Sequence, residues 1–294
     1  MRDVADGAPR LALGEALRRA MRDLRQAGVD GAGDDARRLL AASLTLSPAQ
    51  LLARPERLLR AEEADAFFGR IARRAAREPV SRILGAREFY GRTFAISPAT
   101  LDPRPESETL IEAALGLVSE AGSTARPLRV LDVGTGSGCL LLTLLAELPY
   151  ATGVGTDVSV AALAVARTNA ERCGLAGRSQ WLEADMLEAV DGPFDILISN
   201  PPYIATGDIA GLAPEVRCHD PWQALDGGED GLHFFRRLAA RMQRAVPNGW
   251  VVLEVGHDQA DAAAALLGVH GSTEVRFYRD VAGKRRCVAA RTRN

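Results

Sequence analysis

After residue 127 short apolar segments alternate with helical ones, and this alternation constrains the fold more tightly than any other feature of the chain. Strands are expected over 128–133, 152–156, 180–184, 194–199 and 249–255. Helices are expected over 139–147, 160–173, 232–245 and 257–267, with terminal strands over 274–278 and 287–291. Parallel neighbours need a crossover, and a crossover helix buries its apolar stripe on the sheet. The pattern therefore reads as an α/β fold, a Rossmann-like and mostly parallel sheet covered on both faces.

The region before it has a different period. Residues 1–78 carry apolar side chains at helical spacing in four runs: Leu11 to Ala20, Ala36 to Leu44, 49–59 with a break or kink at Pro55, and Ala64 to Ile71. Ser47 followed by Pro48 is a helix start. From Glu78 the pattern changes to short β-like pieces, 79–85 and 88–94, punctuated by glycine and read as a hairpin linker. Pro103 and Pro105 interrupt regular structure before a helix resumes near Glu106. The expected organisation is a small helical bundle over 1–78, a β-hairpin linker over 79–105 and an α/β domain over 106–294.

Composition narrows the function classes. Of 294 residues, 47% are hydrophobic, ample for a buried core and against a disordered or disulfide-stapled chain. The net charge of −2 gives no global basic field. Residues 1–78 carry 15 arginines against 12 acids, whereas residues 108–294 are net −6, a poor match to a nucleic-acid duplex. Cys139, Cys173, Cys218 and Cys287 form no CxxC pair and the four histidines are scattered, so no metal site is expected. No apolar run reaches 18 residues and the chain begins Met1, Arg2, Asp3, which leads to the expectation of neither a secretory signal nor a membrane span.

Four elements carry chemistry. First, Val130, Leu131, Asp132 and Val133 run into Gly134, Thr135, Gly136, Ser137 and Gly138, with a helix behind. Alternate glycines let the backbone turn sharply and let a ligand approach without a Cβ in the way. The GxGxG spacing differs from the dinucleotide pattern GxGxxG, and the same loop can also be a ligand-free strand-to-helix turn. Second, Asp157 lies 19 residues beyond Gly138 at the end of the next strand. An acid there can accept from ribose hydroxyls, although Asp157 or Ser159 can equally cap the following helix. Third, Asp185 can accept from an adenine amino group and Met186 can lie against the ring, or simply fill core. Fourth, a buried strand ends in Asn200, Pro201, Pro202 and Tyr203. The prolines stiffen the backbone, so the Asn200 side chain and the Pro201 carbonyl present two acceptors suited to a planar –NH₂ group. The Tyr203 ring is expected to pack on the flat substrate group.

Asn-Pro-Pro-Tyr after Asp-x-Gly-x-Gly-x-Gly resembles S-adenosylmethionine-dependent methyltransferases that modify a planar amino nitrogen. The chain is most similar to the HemK/PrmC family, the glutamine-N5 methyltransferases of peptide-chain release factors. The resemblance extends to Arg77-Glu78-Pro79-Val80, Leu84-Gly85-x-Arg87-Glu88-Phe89 and Pro103-Arg104-Pro105-Glu106-x-Glu108. It continues through Ala224 to Leu232, Leu253-Glu254-Val255-Gly256-x-Asp258-Gln259 and Asp280-x-Ala282-Gly283. Asp102 and Met186 depart from the family pattern, which usually has an apolar and an aromatic residue there.

The resemblance implies a class I methyltransferase sheet and methyl transfer from S-adenosyl-L-methionine, leaving S-adenosyl-L-homocysteine, to the glutamine of the GGQ motif of class I release factors. It implies cofactor binding by Gly134, Thr135, Gly136, Ser137, Gly138, Asp157, Asp185, Met186 and Asn200. It implies catalysis at Asn200, Pro201, Pro202 and Tyr203. A lone glutamine offers too little surface to be selected, so residues 1–78 are expected to dock the protein substrate through remote contacts. A monomeric cytoplasmic enzyme without metal, membrane or direct nucleic-acid partner is expected. The competing reading on the same core is a nucleic-acid amino-group methyltransferase acting on adenine N6 or guanine N2. A non-catalytic scaffold is disfavoured by the intact Asn-Pro-Pro-Tyr, and a nicotinamide dehydrogenase by the glycine spacing.

Overall fold

The computed structural model describes residues 11–188, 190 and 192–293. The first ten residues of the expected helical segment lie outside them. The chain divides into two compact units, the first ending at Gly85 and the second beginning at Ala86.

The first unit is helical: α1 (Leu13–Gln26), α2 (Ala32–Leu44), α3 (Pro48–Ala53), α4 (Ala61–Ala75) and α5 (Val80–Leu84). Leu13, Ala16, Ala20 and Leu24 line one face of α1 and bury against Ala36, Leu39 and Leu40 of α2 and Phe67 and Ile71 of α4. Ser47 caps α3 in a capping box, its hydroxyl accepting from Gln50 N while the Gln50 side chain accepts from Ser47 N. That helix stops before Pro55. The chain then pairs its backbone with the start of α1, Gly14 N donating to Pro55 O and Leu13 N to Arg57 O, both at 2.8 Å. The segment expected to be β-like at 79–85 is instead α5. Val80 and Ile83 stand one helical turn apart and both bury in the core, and Gly85 closes the turn with φ 67°.

The second unit opens with a hairpin, β1 (Ala86–Phe89) and β2 (Arg92–Ala95), followed by α6 (Glu108–Glu120). Alternation then runs β3 (Arg129–Val133), α7 (Cys139–Glu147), β4 (Thr152–Asp157), α8 (Val160–Arg172), β5 (Ser179–Glu183) and β6 (Ile196–Ser199). Two short helices, α9 (Pro214–Arg217) and α10 (Trp222–Leu225), precede α11 (His233–Ala245), β7 (Trp250–Glu254), α12 (Ala260–Val269), β8 (Glu274–Arg279) and β9 (Arg285–Arg291). The seven-stranded sheet has the order β5-β4-β3-β6-β7-β9-β8, parallel from β5 to β7 and antiparallel on both sides of β9.

Side chains alternate between the sheet faces. Val130, Ile196, Ile198, Val252 and Ala289 pack on one side with α6, α7 and the hairpin phenylalanines Phe89 and Phe94. Leu131, Val133, Leu197, Val251, Leu253 and Val288 pack on the other with α11 and α12. Burial of both faces explains why the central strands are mostly apolar, with the buried carboxyls Asp132 of β3 and Glu254 of β7 as exceptions. Among the described residues no helix is long and apolar enough to cross a membrane.

Candidate active site

From β3 the chain winds outward through β4 to β5, then returns to β6 on the other side of β3. Loops leaving the carboxyl ends of β3 and β6 therefore diverge, which opens a crevice at the switch point of an α/β sheet. A cavity of about 620 Å³ lies there. Its walls include Gly134, Thr135, Gly136 and Ser137 after β3, Asp157 ending β4, Asp185 and Met186 beyond β5, and Asn200, Pro201 and Pro202 after β6. Gly138 and Tyr203 are the two sequence-predicted residues that stand off the lining.

Gly134 and Gly136 have φ of 70° and 55°, and a Cβ built on either would meet no protein atom within 4 Å. Both therefore leave space on the cavity side. At Gly138 a Cβ would sit 2.9 Å from the Trp181 ring and 3.2 Å from Ala166, so this glycine permits close packing at the start of α7. Asn169, buried on α8, fixes the loop from behind. Its Nδ2 donates to the Ser137 carbonyl and the Ala95 carbonyl at 2.9 Å, and its Oδ1 accepts from Ala95 N at 2.7 Å. The Thr135 hydroxyl donates to Asp132 Oδ2 at 2.6 Å, and burial pushes the Asp132 carboxyl up to about 7.

Asp157 accepts from Gly136 N through Oδ2 and from Ser159 N through Oδ1, both at 2.9 Å. The cap of α8 is Ser159, whose hydroxyl accepts from Ala162 N, so Asp157 is not used as the helix cap. Each Asp157 oxygen retains acceptor capacity at the cavity wall. Desolvation raises its pKa, partly offset by the amides of Ser159 and Gly136. Asp185 pairs with Arg237 at 2.7 Å, and Arg237 itself lines the cavity, a partner that local sequence did not reveal. Met186 is buried with φ 58°, its carbonyl accepting from the Thr156 hydroxyl at 3.2 Å. A left-handed non-glycine residue costs on the order of 1 kcal/mol, and the position keeps the thioether in the wall.

Asn200 Nδ2 donates to Ser107 Oγ at 3.2 Å, and the Ser107 hydroxyl donates to Glu254 Oε2 at 2.5 Å. Tyr203 stands off the cavity lining. The ring packs toward the α11 and α12 side of the core, because the buried Glu254 carboxylate takes its hydroxyl at 3.2 Å and Gln259 Nε2 donates to its carbonyl at 2.8 Å. Residues 224–232 run beside this loop, Ile204 N donating to Leu225 O and Gly227 N to Ile204 O. A Cβ on Gly227 would lie 2.8 Å from the Tyr203 backbone, so the approach needs glycine. Burial drives Glu254 up to about 7 and raises the Tyr203 hydroxyl. Ser107, Asn169, Arg237 and Glu254 were not foreseen as site residues. Ser107 and Glu254 lie inside the stretches that carried the family resemblance, which was their one available signal.

Residues 15–85 match the PrmC N-terminal domain, and residues 112–216 match the methyltransferase small domain. The release factor glutamine methyltransferase of Rhodospirillum rubrum is 46% identical over 96% of this chain and 86% of its own. That of Bradyrhizobium diazoefficiens is 47% identical over 91% of each. The human Mettl16 catalytic domain, solved in complex with an MAT2A 3′UTR hairpin, superposes with a TM-score of 0.56 at 20% identity, over 75% of this chain and 81% of that one, which speaks to the fold alone. The two aligned relatives span both units at well over a third identity, and the chain belongs to the release factor glutamine methyltransferase family.

Proposed function

We propose that the chain transfers a methyl group from S-adenosyl-L-methionine to the side-chain amide nitrogen of the GGQ glutamine in class I peptide-chain release factors. The observation that carries the reading is the convergence of the glycine loop, Asp157 and Asn200-Pro201-Pro202 on one cavity. The residues there suit an adenosyl sulfonium: space beside Gly134 and Gly136, the Asp157 carboxylate for a ribose diol, and the Met186 thioether for a flat ring. The bound cofactor supplies an electrophilic methyl group.

A carboxamide nitrogen is a poor nucleophile because its lone pair is delocalised into the carbonyl. Asn200 Oδ1 and the Pro201 carbonyl each take one of its two N–H bonds, fixing the direction of the nitrogen. As positive charge develops on that nitrogen the two oxygens stabilise it, in a site where the dipoles are already oriented. Pro201 and Pro202 keep the backbone from relaxing away. Both acceptors are neutral, so no general base is required, and the proton departs to water after transfer.

The helical unit carries the selectivity for the protein substrate. A single glutamine side chain presents little surface, so recognition has to draw on remote contacts. Leu17, Leu46, Leu51 and Leu52 border a groove of about 610 Å³ in that unit, with Arg37 and Arg38 at its edge. We assign to it the docking of the release factor, and to the enzyme a monomeric state in the cytoplasm, where translation terminates. The test is methyl transfer from labelled cofactor to a purified release factor, run beside duplex DNA and structured RNA. Label in the factor supports the reading, and label confined to nucleic acid favours the amino-group methyltransferase of nucleobases instead.

A further inference from the structure

Asn200 can hold an –NH₂ group only if its oxygen, not its nitrogen, faces that group. The two ends of a carboxamide are similar in size and shape and opposite in hydrogen-bonding sense. Rotated half a turn, Asn200 would present a donor to a donor. Something in the protein has to set which end points where.

The structure supplies a chain of groups with a defined direction. Glu254, 1% exposed, ends β7 next to the strand that ends just before Asn200, with Leu253 in register with Ser199. An ionised carboxylate only accepts. Its Oε2 takes the single proton of Ser107, and its Oε1 takes the proton of Tyr203. With its proton committed, Ser107 Oγ meets Asn200 purely as an acceptor. Asn200 Nδ2 then turns toward Ser107 at 3.2 Å, and Oδ1 turns away from it. Among the described residues no hydrogen bond reaches that Oδ1.

We infer that Ser107 and Glu254 are positioning residues that polarise Asn200, locking its carboxamide with Oδ1 toward the acceptor nitrogen of the substrate. The inference rests on the proposed role of Asn200. It assigns a purpose to a buried carboxylate that lies off the cavity lining. It also explains why a serine from the 103–108 segment and a glutamate from β7, distant in sequence, meet beneath the same loop.

The arrangement has a second consequence. If Glu254 takes up a proton, it donates to Ser107, and the freed serine proton can turn to Asn200 Oδ1, which removes the bias. The other groups facing Glu254 are Arg286 and Cys287 on β9, Glu106 beside Ser107, Cys139 at the start of α7, and Tyr203. Arg286 is shared with Asp280, at 3.1 Å, so its charge is only partly spent on Glu254.

The experiment uses the full chain with a purified release factor as substrate. It compares Ser107→Ala, Ser107→Thr, Glu254→Gln, Asn200→Ala and the double variant Ser107→Ala with Asn200→Ala. Calorimetry of cofactor binding accompanies each kcat and KM. The expected result is a fall in kcat on the order of tenfold to a hundredfold for Ser107→Ala and Glu254→Gln, with cofactor affinity within about twofold. Ser107→Thr, which keeps the hydroxyl, recovers most of the loss. Wild-type kcat rises with pH through about 7, the Glu254 value, and Glu254→Gln loses that rise. In the double variant Ser107→Ala adds nothing, because there is no carboxamide left to orient. Wild-type kcat in Ser107→Ala overturns the inference, as does an undiminished Ser107→Ala effect in the Asn200→Ala background. Should Glu254→Gln fold poorly, the serine variants decide alone. Asn200→Ala with wild-type kcat would bring down the reading of Asn200 itself, and a loss there without a loss in Ser107→Ala brings down only the relay.

Discussion

Glu254→Gln should change how the stability of the methyltransferase unit depends on pH, in a direction and by an amount that follow from where the residue sits. In the unfolded chain the carboxyl titrates near its ordinary 4.5, and in the folded chain burial moves it to about 7. Between those values the folded protein holds a proton that the unfolded chain has lost. Stability therefore falls as pH rises through that window and is flat with respect to this residue above it. One pKa unit corresponds to about 1.4 kcal/mol, so the residue costs the wild type up to about 3 kcal/mol between the two values. Glutamine does not ionise and removes that slope. Asp132 is raised by burial in the same sense and slopes both proteins alike, so it cancels in the comparison. Trp181, Trp222 and Trp250 all lie in the second unit, so tryptophan fluorescence during urea unfolding reports on that unit. Measured at intervals from pH 5 to pH 8, the wild-type free energy should drop relative to that of the variant, while the variant loses turnover. Parallel curves would refute the reasoning, because Glu254 would then carry the same charge in both states.

Asn200→Ala should lower kcat by roughly a hundredfold, about 2.7 kcal/mol of transition-state stabilisation, with cofactor affinity nearly unchanged by calorimetry. Asp157→Ala should do the reverse, weakening cofactor binding strongly while kcat at saturation falls less; unchanged affinity would remove Asp157 from the ribose site. Leu52→Glu, at a position 74% exposed on the groove of the helical unit, should raise KM for the intact release factor while leaving cofactor affinity and thermal stability alone. Equal KM values for variant and wild type would discard the groove as the docking surface.

Features set by neighbouring residues were legible in the sequence. The alternation of strands and helices produced the parallel sheet, and α7 has the bounds its leucine run suggested because Gly138 opens it and Pro149 lies just beyond its end. The glycine loop, Asp157 and Asn200 could be picked out because each sits at the end of a strand, where a parallel sheet presents ligand sites. The insertion of β9 between β7 and β8 was not, because pairing order depends on contacts between distant strands. The helical turn at 80–84 was misread because five residues between Pro79 and Gly85 are too short to display a period, and the burial of Val80 and Ile83 decided the outcome. The surroundings of Tyr203 were hidden for a related reason. Its environment is made by Glu254 and Gln259, some fifty residues away, and nothing near Tyr203 in sequence announces a buried carboxylate. The same distance hid the link from Asn200 through Ser107 to Glu254.

The central claim is transfer to a glutamine side-chain nitrogen, and the chemistry of the product tests it most directly. A release factor methylated with labelled cofactor is digested, the labelled peptide is isolated, and that peptide is hydrolysed in acid. Methyl on the amide nitrogen leaves as labelled methylamine, and the label disappears from a factor whose GGQ glutamine has been replaced. Label released as methanol, retained on another residue, or still present after that glutamine is replaced would contradict the account.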